Sequence, residues 1–266
     1  MSETSKTVGS ANGAVENDTA DVLAPQVLSV VASRSPHNAA KMYHELVQQL
    51  AAGVRSMEIG APEAAIAKLR AHGCTSEDIS DIYIPAAARL LGDDWCRDEV
   101  GFADVTIGVA RLQGILRDLE REWFRTSDPL AATGAALVIV CQDEYHTLGA
   151  TVLAGQLRRM GISVRLSMGQ THSERMDLIE NNDFDMIMVS MSRTENLEST
   201  RKLVKNIRSA CKGRVPIVLG GTVTERKIDL QALTGADHVV NDPKEALRLC
   251  GLKTHHKGAR LSEIRG

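Results

Sequence analysis

Apolar residues are spaced differently in the two halves of the chain. Between Asn38 and Trp123 they recur every three or four positions, which is the period of amphipathic helices. From Ala136 onward the pattern changes to short apolar runs separated by amphipathic segments, as expected for strands that alternate with helices. The linker at 126–129 therefore marks a domain boundary.

The first region predicts four helices. Pro62 suits the start of the second helix, Gly73 its end, and Ser76 the start of a third helix that bends at Pro85. The fourth helix begins at Phe102 and carries a single apolar stripe for packing against other helices. The stripe consists of Val105, Val109, Leu112, Leu116, Leu119 and Trp123. We predict a four-helix bundle.

The second region contains five apolar runs of strand length. They lie at 137–141, 162–167, 186–191, 216–219 and 237–240. Helical patterns near 148–160, 173–182, 196–211, 225–233 and 243–250 follow them. Strands that are apolar on both faces and alternate with helices form parallel sheets with right-handed crossovers. We predict an α/β, flavodoxin-like (Rossmann-type) five-stranded parallel sheet, preceded by the four-helix bundle.

The ends of the chain have a different composition from its centre. A polar N-terminal stretch predicts a disordered leader over 1–36, before the helical bundle at 37–126 and the α/β domain at 133–251. The remaining segment, 252–266, is a basic tail. Such a tail could contact DNA phosphates beside a partner protein, or it could simply be solvated.

Composition excludes several classes of function. A formal charge of −3 gives no field that would draw in nucleic acid or an anionic membrane. No apolar run approaches the ~18 residues that a bilayer span needs, and no signal peptide is recognisable, so we expect a cytoplasmic protein. The five cysteines include no CxxC pair, which argues against a zinc site or a disulfide framework.

Unusual residues follow three of the predicted strands. His146 comes after the first strand, Ser190 and Ser192 lie at the end of the third, and Gly220 and Gly221 end the fourth. Taken separately, the histidine could be a surface residue, the serines helix caps and the glycines a turn. Because open α/β sheets bind ligands beyond the carboxyl ends of their strands, the joint placement predicts a binding site.

These residues resemble the motifs of a known family. Cobalamin-binding domains of the methionine synthase type carry DxHxxG after strand one, SxL after strand three and GG after strand four. The present chain has EYHTLG at 144–149, SMS at 190–192 and GGT at 220–222, in the same order. The resemblance implies bound cobalamin, as adenosylcobalamin or hydroxocobalamin, with its nucleotide tail inserted into the sheet.

The resemblance also assigns roles to individual residues. His146 becomes the lower axial ligand of cobalt, with Glu144 and Ser190 as a relay behind it, and carboxylate partners of this kind fix the tautomer of a metal-binding imidazole. The implied cofactor contacts in the α/β domain are Glu144, His146, Thr147, Leu148, Gly149, Ser190, Met191, Ser192, Gly220, Gly221 and Thr222. Glu144 replaces the Asp of the motif and Ser192 its Leu. A heme on the same histidine is the alternative, since imidazole also binds iron.

The helical region is similar to the cap that family members place over the corrin. Trp95 has the position of a cap residue beside the upper axial ligand, although simple bundle packing is the alternative. Light-sensing cobalamin repressors carry Glu and His ten and eleven residues after that tryptophan. Here the two positions hold Val105 and Thr106, so a second histidine ligand is missing and photochemistry should leave water above the cobalt.

The chain has room for the cap and the cobalamin domain but not for a catalytic barrel of about 250 residues. This arrangement resembles the PpaA/AerR antirepressors of purple photosynthetic bacteria, which bind cobalamin in a light-dependent way and relieve a partner repressor of photosystem genes. We therefore expect a photoreceptor that regulates transcription through a DNA-binding repressor and is not an enzyme. The alternatives are a corrinoid methyl carrier and a heme-binding redox sensor.

Overall fold

The computed structural model of the protein describes residues 36–126, 132–141, 147–226 and 228–254. The chain divides into two compact units, Met1–Leu46 and Val47–Gly266. The predicted leader up to residue 35 and the tail beyond Thr254 lie outside the described residues. None of the described helices is both long enough and apolar enough to cross a bilayer.

The N-terminal region is helical, as predicted. Its described residues form the helices α1 (Pro36–Arg55), α2 (Ala61–Ala71), α3 and α4 (Phe102–Thr126). Helix α3 consists of three consecutive segments: an α-helical turn at Ser76–Asp78, a π-helical segment at Ile79–Tyr83 and an α-helix at Ile84–Cys96.

The helix boundaries have local causes in the sequence. Pro62 lies at the first turn of α2, where its missing N–H is not needed, and Gly73 follows the helix with a φ of 84°. Thr75 and Asp78 form a capping box at the start of α3, in which each side chain accepts from the other's backbone N–H. The π-helical segment ends two residues before Pro85, whose missing N–H donor interrupts the regular ladder of backbone hydrogen bonds.

The C-terminal region is a five-stranded parallel sheet with the order β2-β1-β3-β4-β5, which confirms the flavodoxin-like prediction. Its strands are β1 (Gly134–Val140), β2 (Ile162–Ser167), β3 (Met186–Ser190), β4 (Ile217–Gly220) and β5 (His238–Val239). The helices between and after them are α5 (Thr147–Arg159), α6 (His172–Glu180), α7 (Leu197–Ala210), α8 (Leu230–Thr234) and α9 (Pro243–Leu249).

Two apolar cores cover the two faces of the sheet. Alternate residues of β1 divide between them: Leu137 and Ile139 belong to the core that includes α6 and α7, whereas Ala136, Val138 and Val140 belong to the core that includes α5 and α9. The central strands are therefore buried on both faces, as in a doubly wound sheet.

Three details differ from the sequence-based prediction. Strand β2 alternates between buried and exposed residues, and β5 has only two residues, because both lie at the edges of the sheet. The helix expected at 225–233 is replaced by a 3₁₀ turn at Thr222–Glu225 and the short α8. The cause lies at Asp229, whose carboxylate accepts from the N–H of Ala232 at 3.0 Å and fixes the start of α8.

Candidate functional site

The predicted site lies where the three central strands end. Ser190 at the end of β3 is in register with Val140 of β1 on one side and with Gly220 of β4 on the other. The structure therefore brings the serine and glycine motifs to adjacent positions on one edge of the sheet. Ligands of doubly wound sheets bind at this carboxyl edge.

The loop with the predicted cobalt ligand falls between described residues. Strand β1 ends at Val140, Cys141 follows it, and α5 begins at Thr147. Glu144 and His146 lie outside the described residues, so their roles remain predictions from the sequence. Within the described ranges, no three His, Cys, Asp or Glu side chains come together as a metal site.

The first turn of α5 presents a small and open surface. Thr147 is half-buried, and the next residue, Leu148, is buried and 8% exposed. Gly149 is exposed, and a Cβ added there would meet nothing within 4 Å. A ligand that approaches α5 at this position meets no side chain from Gly149 itself.

The residues after β3 divide between the core and the edge. The side chain of Met191 is fully buried, and its Sδ accepts a hydrogen bond from Thr200 Oγ1 at 3.1 Å. Ser190 is half-buried, and the carbonyl of Ser192 accepts from Thr222 Oγ1 at 3.3 Å. Of the predicted contacts in this segment, Met191 can offer only its backbone.

The glycine pair lies against the ends of two neighbouring strands. A Cβ on Gly220 would be 3.0 Å from the carbonyl oxygen of Val240, and one on Gly221 would be 2.3 Å from that of Met191. Gly221 also has a φ of 106°, which L side chains rarely adopt. The glycines are therefore required by close packing of protein backbone, a reason that the sequence analysis did not include.

Sequence reasoning missed a polar residue at this edge. Asn241, which follows β5, accepts a hydrogen bond from the N–H of Gly221 at 2.7 Å and donates another to Thr224 Oγ1. The only signal in the sequence was its position directly after the fifth strand, where parallel strands present their carboxyl ends.

The buried guanidinium of Arg175 lies beside the site, at the end of β2. Arg175 is 5% exposed, donates to the carbonyl of Gln170 at 3.1 Å and lies 3.4 Å from Ser167 Oγ at the end of β2. Burial lowers the pKa of this guanidinium, and the nearby Cys141 thiol acts in the opposite direction.

Helix α4 runs in the same direction as α5 and extends beyond its start. Gln113 of α4 donates to Thr147 Oγ1 at the first residue of α5, whereas Glu120 lies 3.7 Å from Arg158 near the end of α5. Phe102 precedes Gln113 by 11 positions, so α4 projects about 16 Å past the start of α5 at 1.5 Å per residue. This projecting part of α4 lies beyond the edge where the sheet binds ligands.

The start of α4 carries one ring of an exposed aromatic pair, Phe102, and the end of α3 carries the other, Trp95. Trp95 is 48% exposed and Phe102 70% exposed, and their ring centroids are 6.1 Å apart. Val105, on the same stretch of α4, is half-buried. Trp95 therefore packs against a neighbouring helix through Phe102 and still leaves about half of its side chain exposed.

The described residues fit a corrinoid. They offer an open surface at Gly149, a backbone-lined turn at Gly220 and Gly221, and exposed aromatic rings beyond the edge of the sheet. A groove of about 350 Å³ between α2 and α4 lies elsewhere and is not part of this site.

Comparison with known proteins agrees with this geometry. Residues 134–249 match the family model of the B12 binding domain. The chain is 37% identical, over 175 residues, to an uncharacterized 20.5 kDa protein in the bchF-crtJ intergenic region of Rhodobacter capsulatus, and the match covers 66% of this chain and 91% of that protein.

A solved structure shares the fold at low identity. The monomethylamine corrinoid protein of Methanosarcina barkeri superimposes with a TM-score of 0.58 at 15% identity, over 79% of this chain and 94% of that protein. The chain belongs to the same family as the Rhodobacter capsulatus protein and is a B12-binding domain protein with a helical N-terminal region.

Proposed function

We propose that this B12-binding protein is a light-responsive regulator that binds cobalamin and acts on a partner repressor of photosystem genes, without being an enzyme. The relative from Rhodobacter capsulatus is described by its position in the bchF-crtJ intergenic region. That position supports the resemblance to the PpaA/AerR antirepressors, which the motifs at 144–149, 190–192 and 220–222 also support.

The observation that carries the proposal is the exposed aromatic pair formed by Trp95 at the end of α3 and Phe102 at the start of α4. Exposed rings of this size cost free energy in water unless a ligand or partner covers them. Trp95 and Phe102 lie beyond the carboxyl edge of the sheet, which is the side that a cap over the corrin must occupy. We assign Trp95 and Val105 to the upper side of the cofactor.

The α/β domain would hold the lower side of the cofactor. His146 would hold the cobalt, with Glu144 and Ser190 orienting its imidazole, and the nucleotide tail would enter beside Gly220 and Gly221. Cobalamin, when bound, supplies a cobalt–carbon bond that light can break. Val105 and Thr106 offer no imidazole to the upper side, so we expect water there after illumination.

The response to light requires that the helical region adopt different arrangements with the two forms of the cofactor. The repressor must then bind these arrangements with different affinity, since a ligand equally suited to both states shifts no equilibrium. Because Gln113 of α4 is hydrogen-bonded to Thr147 of α5, a displacement at the start of α5 reaches the cap directly.

The test measures repressor binding to protein loaded with adenosylcobalamin, kept dark or illuminated. If the protein is the proposed regulator, its affinity for the repressor differs between the dark and illuminated samples, and this difference requires the cofactor. Equal binding by the cofactor-free, dark and illuminated forms would contradict it. Rapid methylation and demethylation of the corrinoid by partner methyltransferases would instead identify a methyl carrier.

A further inference from the structure

Asn241 belongs to a closed ring of three hydrogen bonds around the glycine turn. The N–H of Gly221 donates to Asn241 Oδ1 at 2.7 Å, and Asn241 Nδ2 donates to Thr224 Oγ1. The hydroxyl of Thr224 in turn donates to the carbonyl of Gly221 at 2.9 Å. Both backbone polar groups of Gly221 are thus bound by side chains from two different segments.

The turn is fixed from its opposite side by backbone alone. The N–H of Met191 donates to the carbonyl of Gly220 at 2.9 Å, and a Cβ at Gly221 would overlap the carbonyl of Met191. Gly221 therefore lies between the end of β3 and the side chain of Asn241. Without Asn241, the N–H of Gly221 would lose its hydrogen-bond acceptor, and the turn would depend on its contacts with Met191, Thr224 and the segment at Ser192.

Glycine pairs lose more conformational freedom on ordering than other residues, so their position depends on such neighbours. A binding surface made of backbone also loses affinity when that backbone must be ordered at the moment of binding. Because Asn241 is exposed, it contributes little to the core of the domain.

We propose that Asn241 is a positioning residue that preorganises the Gly220–Gly221 turn for the nucleotide tail and so makes the protein prefer corrinoids with a complete tail. The inference rests on the proposed binding mode, in which the tail enters at this turn. In that mode the turn would hold the nucleotide tail, so a corrinoid without a nucleotide gains nothing from the three hydrogen bonds around Gly221.

The experiment compares two probes, hydroxocobalamin and diaquacobinamide, which lacks the nucleotide tail. Equilibrium dialysis in the dark gives the Kd of each probe for the full chain. In Asn241→Ala we expect hydroxocobalamin binding to weaken by about tenfold and diaquacobinamide binding to change by less than about twofold, given the two hydrogen bonds lost. Thr224→Val removes the hydroxyl that accepts from Asn241 and donates to the carbonyl of Gly221, so it should also weaken hydroxocobalamin binding.

The double variant tests whether the two residues act as a unit. If they do, Asn241→Ala with Thr224→Val weakens hydroxocobalamin binding no more than the stronger single variant. Asn241→Asp retains an acceptor for Gly221 and should recover part of the affinity. The single variants Asn241→Asp and Thr224→Val also keep the test decisive if Asn241→Ala fails to fold.

Asn181→Ala is the matched control, because this exposed asparagine donates to the carbonyl of Asp177 at the end of α6, on the opposite edge of the sheet. It should bind both probes like the wild type. Equal weakening for both probes in Asn241→Ala, or none for either, would overturn the inference without contradicting cobalamin binding by the wild type. A wild type that binds neither probe would overturn the proposed function itself.

Discussion

Gln113 Nε2 donates a hydrogen bond to Thr147 Oγ1 over 3.1 Å, and this contact joins the helical region to the first residue of α5. Thr147 directly follows His146 in the chain. The two residues are 34 positions apart, and both are half-buried. If His146 ligates the cofactor as proposed, a change in that ligation has a short covalent and hydrogen-bonded route to the helical region.

Gln113→Leu tests this route. The substitution keeps the approximate size of the side chain and removes the donor, so we expect cobalamin retention to persist. The dark-to-light difference in repressor affinity should fall by about 1 kcal/mol or more, the usual contribution of one part-buried hydrogen bond. The measurement is repressor binding by fluorescence anisotropy, in darkness and after illumination.

Thr147→Val provides the partner variant for a double-mutant cycle. If the hydrogen bond transmits the signal, the double variant should lose no more of the light response than either single variant. Additive losses would show that the two residues act separately and would contradict the route through this contact.

Trp95→Ala tests the aromatic pair between the end of α3 and the projecting start of α4. Because Trp95 is 48% exposed, we expect little change in the free energy of unfolding. The variant should lose more affinity for adenosylcobalamin than for hydroxocobalamin, each measured against the wild type. Phe124→Ala is the matched control, since Phe124 is 54% exposed and contacts Trp123 at the other end of α4. If both variants affected cofactor binding equally, the assignment of Trp95 to the upper side would be wrong.

Gly221→Ala tests the close backbone approach at the glycine turn. The added Cβ meets the carbonyl of Met191, in a region of φ that only glycine occupies readily, so we expect a loss of at least about 3 kcal/mol in unfolding free energy. Gly169→Ala also forces a positive φ but meets nothing within 4 Å, and should cost about 1–2 kcal/mol. Urea unfolding of the cofactor-free protein measures both, and similar losses would show that backbone strain alone matters.

The stability of the contact between α4 and α5 should depend on pH through Glu120. Burial raises the pKa of this carboxyl, and the charges of Arg158 and Arg159 only partly oppose it. The folded protein therefore holds this proton more tightly than the unfolded chain. The contribution of Glu120 is complete below the ordinary glutamate pKa and is lost as the pH rises through the raised one.

Glu120→Gln removes this titration. Relative to the wild type, the variant should gain stability as the pH increases across that window, with the difference constant at higher pH. Urea midpoints measured between acid and neutral pH give the comparison. Parallel curves for the two proteins would show that Glu120 does not titrate differently in the folded state.

The strands, the helices and their order in the sheet could be predicted from local patterns together with the general rules for parallel sheets. Each apolar run and each helical period is a property of a short segment, and parallel βα units allow few arrangements. The edge strands were less predictable, since the alternation in β2 depends on the absence of a neighbour on one side. The start of α8 was missed because one carboxylate, that of Asp229, decides it.

The candidate site was predictable in outline and not in its contacts. The serine and glycine motifs could be placed because strand ends are in register, as Ser190 and Gly220 are. Asn241 could not, because its partners Gly221 and Thr224 precede it by a whole βα unit and only the fold brings them together. The role of His146 still rests on the sequence motif.

The most direct test of the central claim is the absorption spectrum of the protein after gel filtration with adenosylcobalamin, in darkness and after illumination, for the wild type and His146→Ala. We predict that the wild type retains a corrinoid whose spectrum shows histidine in place of its own nucleotide base, that light changes this spectrum, and that His146→Ala does not show the histidine-bound form. A wild type that retains heme and no corrinoid, or a His146→Ala spectrum identical to that of the wild type, would contradict the account.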